Sequence, residues 1–134
     1  MKLEQIHTQP DPYEPYLLSQ AIRVGDLLFV SGQAGCGDDG AIFGENNFDQ
    51  QANQAFRNLE RALVAGGSSL DRVVKVTIFL TSMTYFSKIV ELRRKYFSRP
   101  YPADTIVEVA ALYTPEAMTA SEAIAIPGGG TEGM

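Results

Sequence analysis

Along residues 72–80 the chain alternates, with Val74, Val76, Ile78 and Leu80 on one side of an extended backbone and Lys75, Thr77 and Phe79 on the other. This period of two, rich in β-branched residues, predicts a half-buried strand. Residues 20–24 and 27–31 read as two shorter strands, and the Gly25-Asp26 pair between them predicts a hairpin. Residues 32–44 are dense in Gly and Asp and read as a loop. The period then changes. Ala52, Ala55, Phe56, Leu59, Ala62 and Leu63 recur at helical spacing. Asn47 stands where a cap belongs, with Gln50 three residues on, and Gly66-Gly67 ends the run. A second helix is predicted over residues 84–97, with Phe86, Ile89, Val90, Tyr96 and Phe97 on its inner side and Pro100 just beyond its end. Residues 105–111 and 118–126 read as the last two strands. Residues 1–16, rich in proline, read as irregular, and 127–134 as a flexible tail.

The order is strand, strand, helix, strand, helix, strand, strand. Two helices cannot cover both faces of such a sheet, so they are expected together on one face. The result is a two-layer α+β domain built on one mixed sheet of about six strands. The other face then calls for a cover, which self-association can supply.

Length and composition narrow the choice. With 134 residues and neither repeat nor linker, the chain reads as a single domain over 1–134. An apolar content of 45% suits a packed core. The net charge of −5, with no block of Lys or Arg, argues against nucleic acid as a partner. No apolar run approaches membrane-spanning length, and the first residues lack the apolar stretch of a signal peptide. The lone Cys36 permits no internal disulfide, and a cytoplasmic location is the expectation. With His7 the only histidine, no metal site is expected.

Five segments carry a resemblance: residues 25–33 (Gly-Asp-Leu-Leu-Phe-Val-Ser-Gly-Gln), 54–59 (Gln-Ala-Phe-Arg-Asn-Leu), 68–80 (Ser-Ser-Leu-Asp-Arg-Val-Val-Lys-Val-Thr-Ile-Phe-Leu), Pro102-Ala103, and 122–125 (Glu-Ala-Ile-Ala). With them the chain resembles the RidA (YjgF) family of reactive-intermediate deaminases over nearly all of residues 19–126. The resemblance implies a chorismate-mutase-like fold. It further implies a homotrimer whose sheets form an inner barrel, with clefts for a small-molecule ligand between neighbouring subunits. Well-known members hydrolyse 2-imino acids to 2-keto acids and ammonia without a cofactor. Such chemistry needs a placed water and a group to help proton transfers.

The family's site carries over incompletely. Asp104 stands where the family has an arginine that grips the substrate carboxylate, a task suited to a planar guanidinium. Leu18 stands where a tyrosine is common, with Tyr16 two residues away. Val90 replaces an asparagine and Ala120 an acid, while Ser31, Gly32 and Glu122 are kept. The resemblance therefore makes Asp104 and Ser31 the catalytic candidates, and Tyr16, Leu18, Gly32, Val90, Ala120 and Glu122 the substrate-binding ones. Bland readings stand beside these. Asp104 could be a solvated acid opening a strand, and Ser31 a serine bonded to backbone. Glu122 falls off the side of Ala120 and could bond a neighbouring strand or subunit. Glu108 is expected to meet Lys75 or an arginine across a subunit boundary. Cys36 as a nucleophile would need a partner to lower its pKa. Arg93, Arg94 and Arg99 read as a solvated face, from which one could replace the missing arginine. Phe56, Phe79, Phe86 and Phe97 read as core aromatics.

An acid in place of the grip would repel a carboxylate. The expected activity is therefore a hydrolase or deaminase acting on an enamine, imine or related intermediate other than a simple 2-imino acid. The rival reading is a non-catalytic trimer that binds a metabolite or a partner protein. A third, a ribonuclease or translation inhibitor, is disfavoured by the acidic charge.

Overall fold

Six strands and two helices make up the described part of the chain, residues 1–128, in a computed structural model. The strands are β1 (Leu3–Ile6), β2 (Ala21–Val24), β3 (Leu27–Ala34), β4 (Val73–Leu80), β5 (Ala103–Glu108) and β6 (Thr119–Ala125), and the helices are α1 (Phe48–Ala65) and α2 (Phe86–Tyr96). They form one sheet in the order β1-β2-β3-β6-β4-β5. Every neighbouring pair is antiparallel except β4 with β5. A parallel pair cannot be joined by a tight turn, and α2 makes the crossover between its two strands. β6 lies between β3 and β4, so α1 joins two strands of like direction that the last strand separates.

Both helices contribute to a single core. Ala52, Phe56, Leu59, Leu63, Ile89 and Leu92 pack with Leu28, Val30, Val76, Ile78, Leu80, Ala123 and Ala125 of the sheet. The Asn47 side chain caps α1, accepting from the Gln50 amide at 3.0 Å, as its position before the apolar run predicts. Gly35 permits the loop after β3 to lie against α1, since a Cβ there would meet the Gln51 carbonyl at 2.4 Å. The opposite face of the sheet carries no helix. Leu27, Phe29, Ser31, Lys75, Thr77, Glu122 and Ile124 alternate with the core positions and belong to that face.

The structure corrects several boundaries. Residues 1–16 are not wholly irregular. Leu3–Ile6 pairs with β2, and Glu14–Tyr16 forms a turn of 3-10 helix. Leu-Glu-Gln-Ile carries no alternation of its own, so the free edge of β2 must template it. β3 runs on through Gly32, Gln33 and Ala34, which composition had assigned to the loop, across a register shift between Val30 and Gln33. A second shift between Val73 and Lys75 puts Val73 in the core and leaves Val74 42% exposed. Such extra residues break the alternation from which a strand's facing is read. In α2, Leu92 is buried in place of Phe86 and Val90, which are exposed. Residues 83–85 form a separate 3-10 turn ahead of it. At the other end, Pro127 is buried and its carbonyl accepts from Arg72 Nη2 at 3.2 Å, so the expected mobility of the tail does not begin there. Residues 129–134 lie outside the described residues.

Candidate functional site

The register shift in β3 organises one end of the helix-free face. A bulge leaves backbone groups without ladder partners, and a side chain has to satisfy them. Tyr13, from the proline-rich segment, does so. Its hydroxyl donates to the Gly32 carbonyl at 2.6 Å and accepts from the Ala34 amide at 3.4 Å. Behind it, Gln33 Nε2 donates to Gln20 Oε1 at 2.9 Å, and Gln20 Nε2 donates to Thr8 Oγ1 and Asp11 Oδ1, each at 3.1 Å. This buried amide relay fastens residues 8–13 over the sheet even though no strand runs through them.

Under that segment lies a pocket of about 520 Å³. Tyr13, Tyr16, Leu18, Gly32, Phe79 and Ala120 line it, with Cys36, Leu112 and Tyr113 among the rest of its wall. Four positions singled out from the sequence, Tyr16, Leu18, Gly32 and Ala120, thus meet in one place. No charged side chain is among the lining residues. Burial, the largest cause, raises the Tyr13 phenol above its ordinary value of 10.0, and the same effect pushes Tyr113 up to about 12. Both therefore stay protonated at neutral pH as uncharged donors.

Cys36 is not set up as a nucleophile. Burial raises its thiol, Asp39 and Asp38 add to the effect, and a backbone hydrogen bond and Arg61 oppose it. A thiol held above its usual range is a poor source of thiolate. Asn58 of α1 lies 3.8 Å from the sulfur, and its Nδ2 donates to the carbonyls of Ala34 at 2.9 Å and Cys36 at 2.8 Å. Gln51, two turns earlier on the same side of α1, spans the loops at the other end. Its Nε2 donates to the carbonyls of Glu116 at 2.9 Å and Gly44 at 3.3 Å, and its Oε1 accepts from the Met118 amide at 2.9 Å.

Asp104 sits elsewhere, on β5 beside the end of α2. The sequence allows a strand-opening acid, solvated or bonded to nearby backbone, or an acid in a cleft that binds a cation or acts as a base. Arg93 of α2 holds it in a two-pronged bridge, Nε to Oδ2 at 2.8 Å and Nη2 to Oδ1 at 3.1 Å, with the side chains 26% and 14% exposed. The sequence places Arg93 with Arg94 and Arg99 on a solvated face from which one could replace the missing arginine, and Arg93 is the one that reaches Asp104. Helical spacing could not reveal that its turn faces the start of β5. The pair lines a concavity of about 280 Å³ with Phe97, Tyr101 and Pro102. The expected like-charge repulsion of a carboxylate ligand loses its force, because a guanidinium already balances the acid.

The remaining candidates are scattered. Ser31 donates its hydroxyl to the Ser19 carbonyl at 2.6 Å, the bland reading of that residue. Ser31 and Glu122 line a third, open concavity of about 440 Å³ on the helix-free face, with Phe29, Lys75 and Thr77, and Glu122 shares the face of Ala120, two residues earlier on β6, rather than falling off it. Val90 is exposed on α2 and lines none of these three concavities. Within the chain, Glu108 accepts from the Met83 amide at 2.6 Å, and the Lys75 amine reaches Thr105 on β5. Tyr13 escaped notice in the sequence. Nothing in a proline-rich segment marks which aromatic will cap a distant bulge. Among the described residues, no cluster of three His, Cys, Asp or Glu side chains could hold a metal, and no helix is long and apolar enough to cross a membrane.

Comparison with known proteins fits this architecture. The family model described as Endoribonuclease L-PSP matches residues 6–126. The RutC family protein y4sK of Sinorhizobium fredii is 41% identical over 110 residues, covering 82% of this chain and 87% of that protein. A protein of Dermatophagoides farinae named 2-iminobutanoate/2-iminopropanoate deaminase is 35% identical over 103 residues, covering 77% of this chain and 79% of its own. The crystal structure of RidA from the Antarctic bacterium Psychrobacter superposes with a TM-score of 0.84 at 34% identity, over 92% of this chain and 98% of that one. The chain belongs to the Endoribonuclease L-PSP family, among its RutC and RidA proteins.

Proposed function

We propose that the chain is a RidA-like hydrolase that deaminates an enamine, imine or related reactive intermediate lacking a simple carboxylate. It works as a homotrimer, without a cofactor, in clefts between neighbouring subunits. The observation that carries this reading is the bridge between Asp104 and Arg93, at the position where the resemblance calls for an unpaired arginine. Two guanidinium nitrogens that a substrate carboxylate would need are already engaged. The pocket beneath residues 8–13 offers apolar walls and neutral phenols rather than a charge. An uncharged substrate body suits such walls, because an ion moved into them would go unpaired.

The trimer reading rests on the sheet. Its helix-free face carries Leu27 and Phe29, both more than two-fifths exposed, and a second copy would remove that apolar surface from water. Placing the Tyr13 pocket of one subunit against the Asp104 concavity of the next would assemble the candidate positions that a single chain keeps apart. Water then adds to the C=N carbon, a proton moves to nitrogen, and ammonia leaves as the carbonyl forms. An enamine first takes a proton on carbon. The Tyr113 hydroxyl and the backbone at Gly32, two residues that line the pocket, would orient water and nitrogen.

A second reading is favoured by the same bridge and by the bond from Ser31 to Ser19. With both catalytic candidates tied to the protein itself, the trimer would bind a metabolite or a partner protein without turning it over. An imine generated from benzylamine by an amine oxidase, in competition with semicarbazide, separates the two. Protein-dependent acceleration of ammonia release supports the hydrolase. Binding of benzylamine or benzaldehyde without acceleration supports the module.

A further inference from the structure

We infer that Asp104 acts as a built-in competitor. Its carboxylate occupies the guanidinium of Arg93, so that a small organic acid can bind in the adjoining concavity only when Asp104 is removed. Asp104 would then be the residue that sets this protein's ligand class against carboxylates. The inference deepens the reading above and rests on the Asp104 concavity being part of the ligand site.

Three observations carry it. The first is geometry. Nε and Nη2 of Arg93 meet both oxygens of Asp104 at 2.8 and 3.1 Å, the parallel two-bond pairing by which arginine grips a carboxylate from any source. The second is that Arg93 has a second support. Its guanidinium carbon lies 6.0 Å from the centre of the Phe86 ring one helical stretch earlier. That is within reach of a cation–π contact, so removing the acid leaves the guanidinium a place to rest. The third is space. The pair faces a concavity of about 280 Å³ walled by Phe97, Tyr101 and Pro102, which offers apolar contact to the body of an acid whose head reaches the arginine.

The bridge must also compete well. Both side chains are largely shielded from water, and the acid is already in place on β5, so it loses little freedom in pairing. A dissolved acid loses its translational freedom on binding and must displace an attached rival, a contest the tethered group wins at ordinary concentrations.

The test is binding of sodium benzoate, with benzamide as the uncharged counterpart, by calorimetry or ligand-observed NMR. It uses the full chain as wild type, Asp104→Ala, Asp104→Asn, and the double variant Arg93→Gln with Asp104→Ala. Circular dichroism and the elution volume show which variants keep the native fold and assembly. The expected result is that benzoate binds the folded Asp104 variants at least fivefold more tightly than wild type, that benzamide does not gain, and that the double variant loses the increase. A gain below fivefold in both single variants, or a gain that survives loss of Arg93, overturns the inference. Hydrolysis is not part of the readout, so a protein that proves non-catalytic leaves this result intact.

Discussion

The hydroxyl of Tyr13 donates to the carbonyl of Gly32 at 2.6 Å, nineteen positions along the chain, where β3 loses its regular pairing with β6. One phenol therefore fastens the proline-rich segment to the sheet and closes the roof of the apolar pocket. Tyr13→Phe keeps the ring and removes the bonds to Gly32 and Ala34. A lost internal hydrogen bond costs about 1 kcal/mol, and stranded backbone groups add to this. We expect a loss of about 1–2 kcal/mol in urea denaturation, with weaker ligand binding. Unchanged stability would show that the hydroxyl is free to bond water instead.

Gln51 offers a sharper case. It is fully buried, and its bonds reach Gly44, Glu116 and Met118 on two separate loops. Gln51→Leu preserves most of the volume but leaves those backbone groups unpaired. The expected cost is about 2–4 kcal/mol in the same assay. A change under about 1 kcal/mol would mean that the loops rearrange freely.

The buried thiol gives stability a pH dependence. Burial raises Cys36 above its ordinary 9.0 and raises Tyr13 above 10.0. A raised acid keeps its proton in the folded state when the unfolded chain has lost it. The stabilisation is therefore full below the unfolded pKa and is lost as pH rises through the folded one. We expect stability to be level to about pH 8 and to fall above it. The fall between about pH 8.5 and 10 should flatten in Cys36→Ala. Alkylation of Cys36 by iodoacetamide at pH 8 should be slower than that of a free thiol. Rapid labelling of the folded protein would contradict this.

Self-association is checked at Phe29. Its ring stands 41% exposed on the helix-free face, beside Lys75 and Glu122. Phe29→Asp would put an unpaired charge into the proposed barrel interior. Sedimentation should give a trimer for the wild type and smaller species for the variant. A monomeric wild type would remove the intersubunit cleft altogether.

The layers of the fold were legible because they rest on period. Alternation over residues 75–80 and helical spacing over 48–65 survive almost unchanged. What escaped depended on pairing between distant segments. Leu3–Ile6 becomes a strand only against the edge of β2, and Val73 turns inward only because of a register shift. Of the candidate positions, four line one pocket. Tyr16, Leu18, Gly32 and Ala120 converge, because family register transmits backbone placement. Electrostatics did not transmit. Asp104 announced a negative charge, and its neutralising partner, eleven residues earlier on a helix, follows no local pattern.

Ligand choice turns on that bridge, and substrate competition measures its effect most directly. The wild-type protein is given a 2-imino acid made by an amino-acid oxidase and an uncharged imine of matching side chain, and kcat/KM is compared for the two. The bridge between Arg93 and Asp104 leads us to expect the uncharged imine to be favoured by at least about tenfold, or roughly 1.4 kcal/mol at the transition state. A preference for the 2-imino acid, with the bridge intact, would contradict it.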